Sequence, residues 1–379
     1  MRDPARDIAR PALRDARTWV VKVGSALVTE NERGIDRGAI SRWCRQIATL
    51  HEHGRQVVLV TSGAVAEGSR RLGFPHRPDT VHELQAAAAA GQMGLIEAYE
   101  QAFRECGMAT ALVLLTHDDL ADRRRYLNAR GTLRTLLGMD VVPVINENDS
   151  VATDEIRLGD NDTLSAMVAS ALSADVLVLL TDRDGLHERD PRFAPDAPVI
   201  ERAFAADRAL DAHAGGSGVL GRGGMVTKLA AARLAARSGT PTVIANGAVP
   251  DILIAIGEGA AAGTLLESDV EPLVARKRWI AGQLRPKGRI VLDEGAVRAV
   301  RERGVSILAV GVIAATGDFQ RGDMVLVTDS DGTEVAKGLV NYGGDETRLL
   351  LGAPSREIEA RLGYVDDEEL IHRDNLVVV

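Results

Sequence analysis

From Trp19 to about Ala245 the chain alternates short runs of β-branched residues with longer stretches rich in Ala, Leu and Arg, and that alternation leaves few architectures open. A wholly apolar run has to be buried on both faces, and parallel runs need a crossover between them, usually a helix. The expected class is therefore α/β, a three-layer sandwich with a mainly parallel sheet between helices. Strands are expected near Trp19–Val23, Val57–Thr61, Ala109–Leu115, Val141–Ile145, Val176–Leu180 and Thr242–Ala245. The clearest helix is expected near Val81–Cys106, where the run Ala86–Ala90 has high helix propensity and reads as packing.

The texture changes near Ala275. Arg276, Lys277 and Arg278 precede Trp279, and Arg285-Pro286-Lys287-Gly288 reads as a turn-rich connector. Beyond it, short alternating segments such as Met324–Val327 and Thr333–Val340 lie between Gly- and Asp-containing turns and suggest a small, mainly β unit. A chain of 379 residues is long for one domain, so two are expected, residues 16–275 and residues 286–379.

Composition narrows the partners. With 45% hydrophobic and 26% charged residues the chain has the material for a core. Its formal net charge of -9 opposes non-specific attraction to polyanions. No run approaches the roughly 20 apolar residues of a membrane span, and Met1–Arg17 lacks the apolar run of a signal or transit peptide. Cys44 and Cys106 stand far apart with no Cys/His cluster, which supports neither a disulfide framework nor a structural zinc. A cytoplasmic location is expected.

In open parallel sheets ligands bind beyond the carboxyl ends of the strands. The residues there form a polar series: Lys22, Gly24 and Ser25, then Thr61, Ser62 and Gly63, then Asn146 to Asp149, then Thr181 and Asp182, then Asn246. Lys22 interrupts an apolar run. Its ammonium either reaches out to solvent at the strand end or meets an anion such as a phosphate, which the small Gly24-Ser25 turn could approach with backbone N–H groups. Gly215 to Lys228 is glycine-rich and leads into an Ala/Leu/Arg-rich helix; it is either a surface loop or a phosphate-binding segment. The match to G-x-G-x-x-G from Gly216 to Gly221 has no strand before it and is treated as chance, and the Walker A spacing is absent. Asn146-Glu147-Asn148-Asp149 and Gly159-Asp160-Asn161-Asp162 allow a solvated loop, a metal site or a pocket for an amino acid. One of the latter residues could cap the helix expected over Thr163–Leu172. An EF-hand does not fit the spacing.

Lys22-Val23-Gly24-Ser25, Thr61-Ser62-Gly63-Ala64, Ile145-Asn146-Glu147-Asn148-Asp149, Gly159-Asp160-Asn161-Asp162 and Gly223-Gly224-Met225-Val226-Thr227-Lys228, in this order, resemble the amino acid kinase family, and within it the branch that phosphorylates glutamate. The tail, with Gly311-Val312 and Phe319-Gln320-Arg321-Gly322-Asp323, looks like the PUA domain many of these enzymes carry. The resemblance runs from about Thr18 to the end. It implies the amino acid kinase fold and a cytoplasmic transferase that uses ATP with Mg2+ to phosphorylate the γ-carboxylate of L-glutamate, the first step towards proline.

By the same resemblance Lys22 and Lys228 contact the ATP phosphates and the transferred group, and Asp162 organises the two lysines. Thr181, Asp182 and the loop Arg222, Gly223, Gly224, Met225, Val226, Thr227, Lys228 hold the nucleotide, while Ser62, Asp149 and Asn161 bind glutamate. Arg222 stands where the family usually has a small hydroxyl residue. No residue is assigned as a metal ligand, and His51, His53 and His117 are read as surface or structural residues. Feedback inhibition by proline and a homo-oligomer are further implications. The rival readings are another amino acid kinase, acting on acetylglutamate, aspartate or carbamate, and an RNA-binding accessory protein acting through the PUA unit. Against nucleic acid stands the count of 11 Lys+Arg to 17 Asp+Glu from Lys287 to Val379 (11 − 17 = −6), so RNA would need a locally basic face.

Overall fold

The computed structural model describes residues 10–30, 34–151, 161–214, 224–269 and 286–378. The chain divides into two compact units, Met1–Asp122 with Asn128–Pro272 and Arg123–Leu127 with Leu273–Val379. The expected domain edge at residue 275 lies outside the described residues.

In the first unit the strands are β1 (Thr18–Val23), the hairpin β2 (Thr29–Glu30) and β3 (Gly34–Ile35), β4 (Gln56–Val60), β5 (Ala109–Leu115), β6 (Val141–Glu147), β7 (Val176–Thr181), β8 (Arg202–Phe204), β9 (Thr242–Asn246) and β10 (Thr264–Glu267). Eight of them form one sheet in the order β5-β6-β4-β1-β7-β9-β10-β8. Every pairing is parallel except that of β9 with β10. The six expected strands are all present, so the α/β reading of the sequence matches the structure. The short β8 and the antiparallel β10 have no long apolar run to announce them.

The sheet's two faces are covered by different helices. Trp19, Val21 and Val23 of β1, Val142 and Val144 of β6 and their neighbours pack with Trp43, Leu95 and Ile256 from the helices Arg37–Glu52, Val81–Glu105 and Ile252–Gly257. Side chains alternate along a strand, so Lys22 points to the opposite face, where the helices Asn161–Leu172 and Met225–Ala236 lie.

The long Ala-rich helix does pack, and unusually closely. A Cβ on Gly68 would stand 1.5 Å from the Ala87 carbonyl oxygen, and one on Gly91 would stand 1.9 Å from that of Ala64. The helices Ala64–Arg71 and Val81–Glu105 therefore meet backbone to backbone, which fixes the start of the first helix under the Ser62-Gly63 turn. Gly63 itself has φ 105, a left-handed conformation that glycine adopts without penalty.

In the second unit β11 (Gly288–Leu292), β12 (Val312–Gly317), β13 (Met324–Thr328), β14 (Glu334–Leu339) and β15 (Leu376–Val378) form a sheet in the order β12-β11-β13-β14-β15. Only β11 and β13 pair in parallel. Its core includes Ile290, Val327, Phe319, Tyr342 and Ile371, a separate apolar cluster from that of the first unit. Short helices cover this mainly β unit, among them Glu294–Arg303, capped by the Asp293 carboxylate accepting from Ala296 N at 2.7 Å.

Candidate active site

Lys22 leaves the carboxyl end of β1, and Lys228 leaves the first turn of the helix Met225–Ala236. Both reach one carboxylate. Lys22 Nζ donates to Asp162 Oδ1 at 2.5 Å and Lys228 Nζ donates to Asp162 Oδ2 at 2.9 Å. Asp162 is fully buried, and the lysine side chains are 4% and 5% exposed. Burial alone would push the Asp162 carboxyl up, but the ammoniums of Lys22 and Lys228, with their hydrogen bonds, hold it below the usual carboxylate range. Two ammoniums thus converge on one carboxylate in a nearly fully buried place. Paired buried ammoniums at the rim of a parallel sheet suit an anionic ligand.

The surroundings add donors for one. The helix Met225–Ala236 starts at Gly224 without a side-chain cap, so its first N–H groups keep no intrahelical partner. Thr227 Oγ1 stands 3.0 Å from Asp162 Oδ2 and 2.8 Å from the Gly224 carbonyl, either of which its hydroxyl can use. Ser165 Oγ donates to the Asp162 carbonyl at 2.6 Å and tightens that turn. Lys22 is thus buried and paired rather than reaching for solvent. Asn161 and Asp162 lie inside the helix Asn161–Leu172, two residues ahead of the expected start at Thr163, because their side chains are held by the sheet rim.

A second group lies towards β4 and β6. Asn161 Nδ2 donates to the Thr61 carbonyl at 2.6 Å and to Asn146 Oδ1 at 2.8 Å, while Asn146 Nδ2 donates to Gln92 Oε1 at 2.7 Å. Both amide protons of Asn161 are engaged, so its Oδ1 is what it can offer a ligand. Thr61 Oγ1 donates to the Tyr99 hydroxyl at 2.9 Å, and burial, largest among its causes, pushes the Tyr99 phenol up. Ser62 is buried beside these residues and Asp149 is half-buried in the turn after β6.

Thr181 ends β7, next to β1 in the sheet, with its Oγ1 donating to Asp182 Oδ1 at 3.1 Å. Asp182 is exposed, and Gly247 N donates to the Thr181 carbonyl at 2.9 Å. Arg222 and Gly223 lie outside the described residues; Gly224, Met225, Val226 and Thr227 open the helix that carries Lys228. The chain thus gathers Lys22, Asp162, Thr227 and Lys228 at one point, with Ser62 and Asn161 on the β4 side and Thr181 on the β7 side.

Two features escape the sequence. Gln92 belongs to a run of small helical residues, and nothing in that run announces its contact with Asn146. His117 shows no partner in the sequence around it, yet its Nδ1 stands 3.4 Å from Glu147 Oε2, because β5 and β6 bring their carboxyl ends together. A pairing across two strand ends leaves no local spacing to find.

Residues 17–246 match the amino acid kinase family and residues 288–362 match the PUA domain. The chain is 59% identical over 375 residues to glutamate 5-kinase of Chromohalobacter salexigens, an alignment covering 99% of each chain. It is 58% identical over 371 residues to glutamate 5-kinase of Pseudomonas aeruginosa PAO1, covering 98% of this chain and 100% of the relative. Against glutamate 5-kinase of Methylococcus capsulatus it is 56% identical over 371 residues, covering 98% and 99%.

Proposed function

Because the chain belongs to the amino acid kinase family, we propose that it transfers the γ-phosphoryl group of ATP to the side-chain carboxylate of L-glutamate. ADP and L-glutamyl 5-phosphate are the products, and the reaction opens the route to proline. High identity to glutamate 5-kinases over almost the whole chain supports the substrate. The observation that carries the chemistry is the buried Lys22–Asp162–Lys228 group, in which two ammoniums converge on one carboxylate.

A γ-carboxylate has an unperturbed pKa of about 4.3 and is ionised at neutral pH, so no general base is required. The difficulty is bringing two anions together in line. Lys22 and Lys228, aimed by the Asp162 oxygens, neutralise the oxygens of the transferring phosphoryl group, and the first N–H groups of the helix Met225–Ala236 add donors. Thr181, Asp182 and Gly224 to Lys228, with Arg222 and Gly223 before them, hold the nucleotide. Ser62, Asp149 and Asn161 hold glutamate. Mg2+ would arrive with ATP, held by phosphate oxygens and water. When bound it would neutralise charge on the phosphates.

The domain edges at 16–275 and 286–379, a homo-oligomer, feedback inhibition by proline and a cytoplasmic location belong to the same proposal. Among the described residues no helix is long and apolar enough to cross a membrane. The deciding experiment measures ADP release with ATP and magnesium, comparing L-glutamate with N-acetyl-L-glutamate and aspartate, with hydroxylamine present. Glutamate-dependent turnover with hydroxamate formation is expected. Turnover with another acid alone would replace the substrate, and none with any would remove the activity.

A further inference from the structure

Glu147, the last residue of β6, is 4% exposed, and both of its carboxylate oxygens are buried without a hydrogen bond among the described residues. Its neighbour of opposite character is His117, whose Nδ1 stands 3.4 Å from Oε2. A buried carboxylate with unused acceptor sites is costly, and a ligand that brings a cationic donor would repair it.

The register places that carboxylate on the reacting face. Lys22 pairs with Val60, and Val60 with Ile145. Val142 and Val144 face the helices Arg37–Glu52 and Val81–Glu105, so Ile145 and Glu147 face the other way, to the side of Asp162. Glu147 lies one pleat beyond Ile145 towards the rim. At about 4.8 Å per strand it stands roughly 10 Å along the rim from β1. In glutamate the nitrogen and the γ-carboxyl carbon are separated by four bonds, a span of roughly 5 Å. With a charge-assisted hydrogen bond of about 2.8 Å at either end the molecule bridges that gap.

We propose that Glu147 receives the α-ammonium group of L-glutamate, with His117 fixing the orientation of the carboxylate. This rests on the functional reading above and gives one of its substrate groups a specific partner. Asn161 Oδ1, on the same rim, offers a further acceptor.

The test uses glutarate, which is glutamate without the ammonium. The unsubstituted enzyme is expected to prefer glutamate to glutarate in kcat/KM by more than about 100-fold, since a site built for a polar group rejects the analogue that lacks it. In Glu147→Gln that preference should fall at least about tenfold, through the KM for glutamate, with the KM for ATP unchanged and glutarate turnover preserved. Glu147→Asp, which keeps the charge, should recover part of the preference. Equal losses on both substrates, or no loss, would overturn the proposal. So would an unsubstituted enzyme that accepts glutarate as readily as glutamate, a result independent of how the variants fold. Absence of glutamate turnover in the unsubstituted enzyme would instead remove the functional reading and this proposal with it.

Discussion

Two ammoniums sharing one buried carboxylate set strict terms for each residue at this site. Removing Lys228 leaves Asp162 paired with Lys22 but withdraws a charge from the phosphoryl group. Lys228→Ala is therefore expected to lower kcat by about 100-fold or more while raising the KM for glutamate far less, as steady-state kinetics would record. Asp149→Ala should do the reverse, raising that KM about tenfold or more, which is about 1.4 kcal/mol, with kcat little changed. Normal kinetics in both variants would displace the site. Asp162 itself carries a pH signature. Its folded pKa is held below the unfolded value of about 3.9, so the stability it contributes is fully present above that value and is lost as pH falls through the folded pKa. Asp162→Asn leaves two lysines buried without this anion and should cost about 3–5 kcal/mol near neutrality. That cost should shrink as the pH drops below about 4, and urea midpoints of both proteins from pH 7 to pH 3 would show whether it does.

Among the elements, the contact between the helices Ala64–Arg71 and Val81–Glu105 most directly ties packing to the site. Gly91→Ala would place a methyl carbon 1.9 Å from the Ala64 carbonyl oxygen, and backbone on both sides leaves no flexible side chain to yield. Separating the helices should cost about 1–3 kcal/mol or more, read as a lower thermal midpoint. It should also raise the KM for glutamate, because Ala64 follows Ser62 and Gly63. An unchanged midpoint would mean that the helices do not meet this closely. Helix propensity explains why Ala86–Ala90 is helical; only the crossing explains why Gly68 and Gly91 are not alanine.

Across the whole molecule, each unit has its own apolar cluster, one built around Trp19, Trp43 and Tyr99 and the other around Phe319 and Tyr342. The described catalytic candidates all belong to the first unit. A chain ending at residue 275 is accordingly expected to keep glutamate-dependent turnover within about threefold of the full chain; loss of activity in a folded product would give the second unit a part in catalysis. The sequence by itself determined the α/β class and the strands β1, β4, β5, β6, β7 and β9, since an apolar run buried on both faces is a local signal. It also placed Lys22, Ser62, Asn146 and Thr181 on one rim, because ligands in such sheets meet the carboxyl ends of the strands. The resemblance already implied that Asp162 organises Lys22 and Lys228, and the tertiary structure gave that grouping its geometry; it alone decided that Asn161 gives both amide protons to Thr61 and Asn146, and that Glu147 is buried beside His117. Those partners come from separate strands and helices. Sequence spacing carries no record of a distance that exists only once the sheet order has brought their ends together.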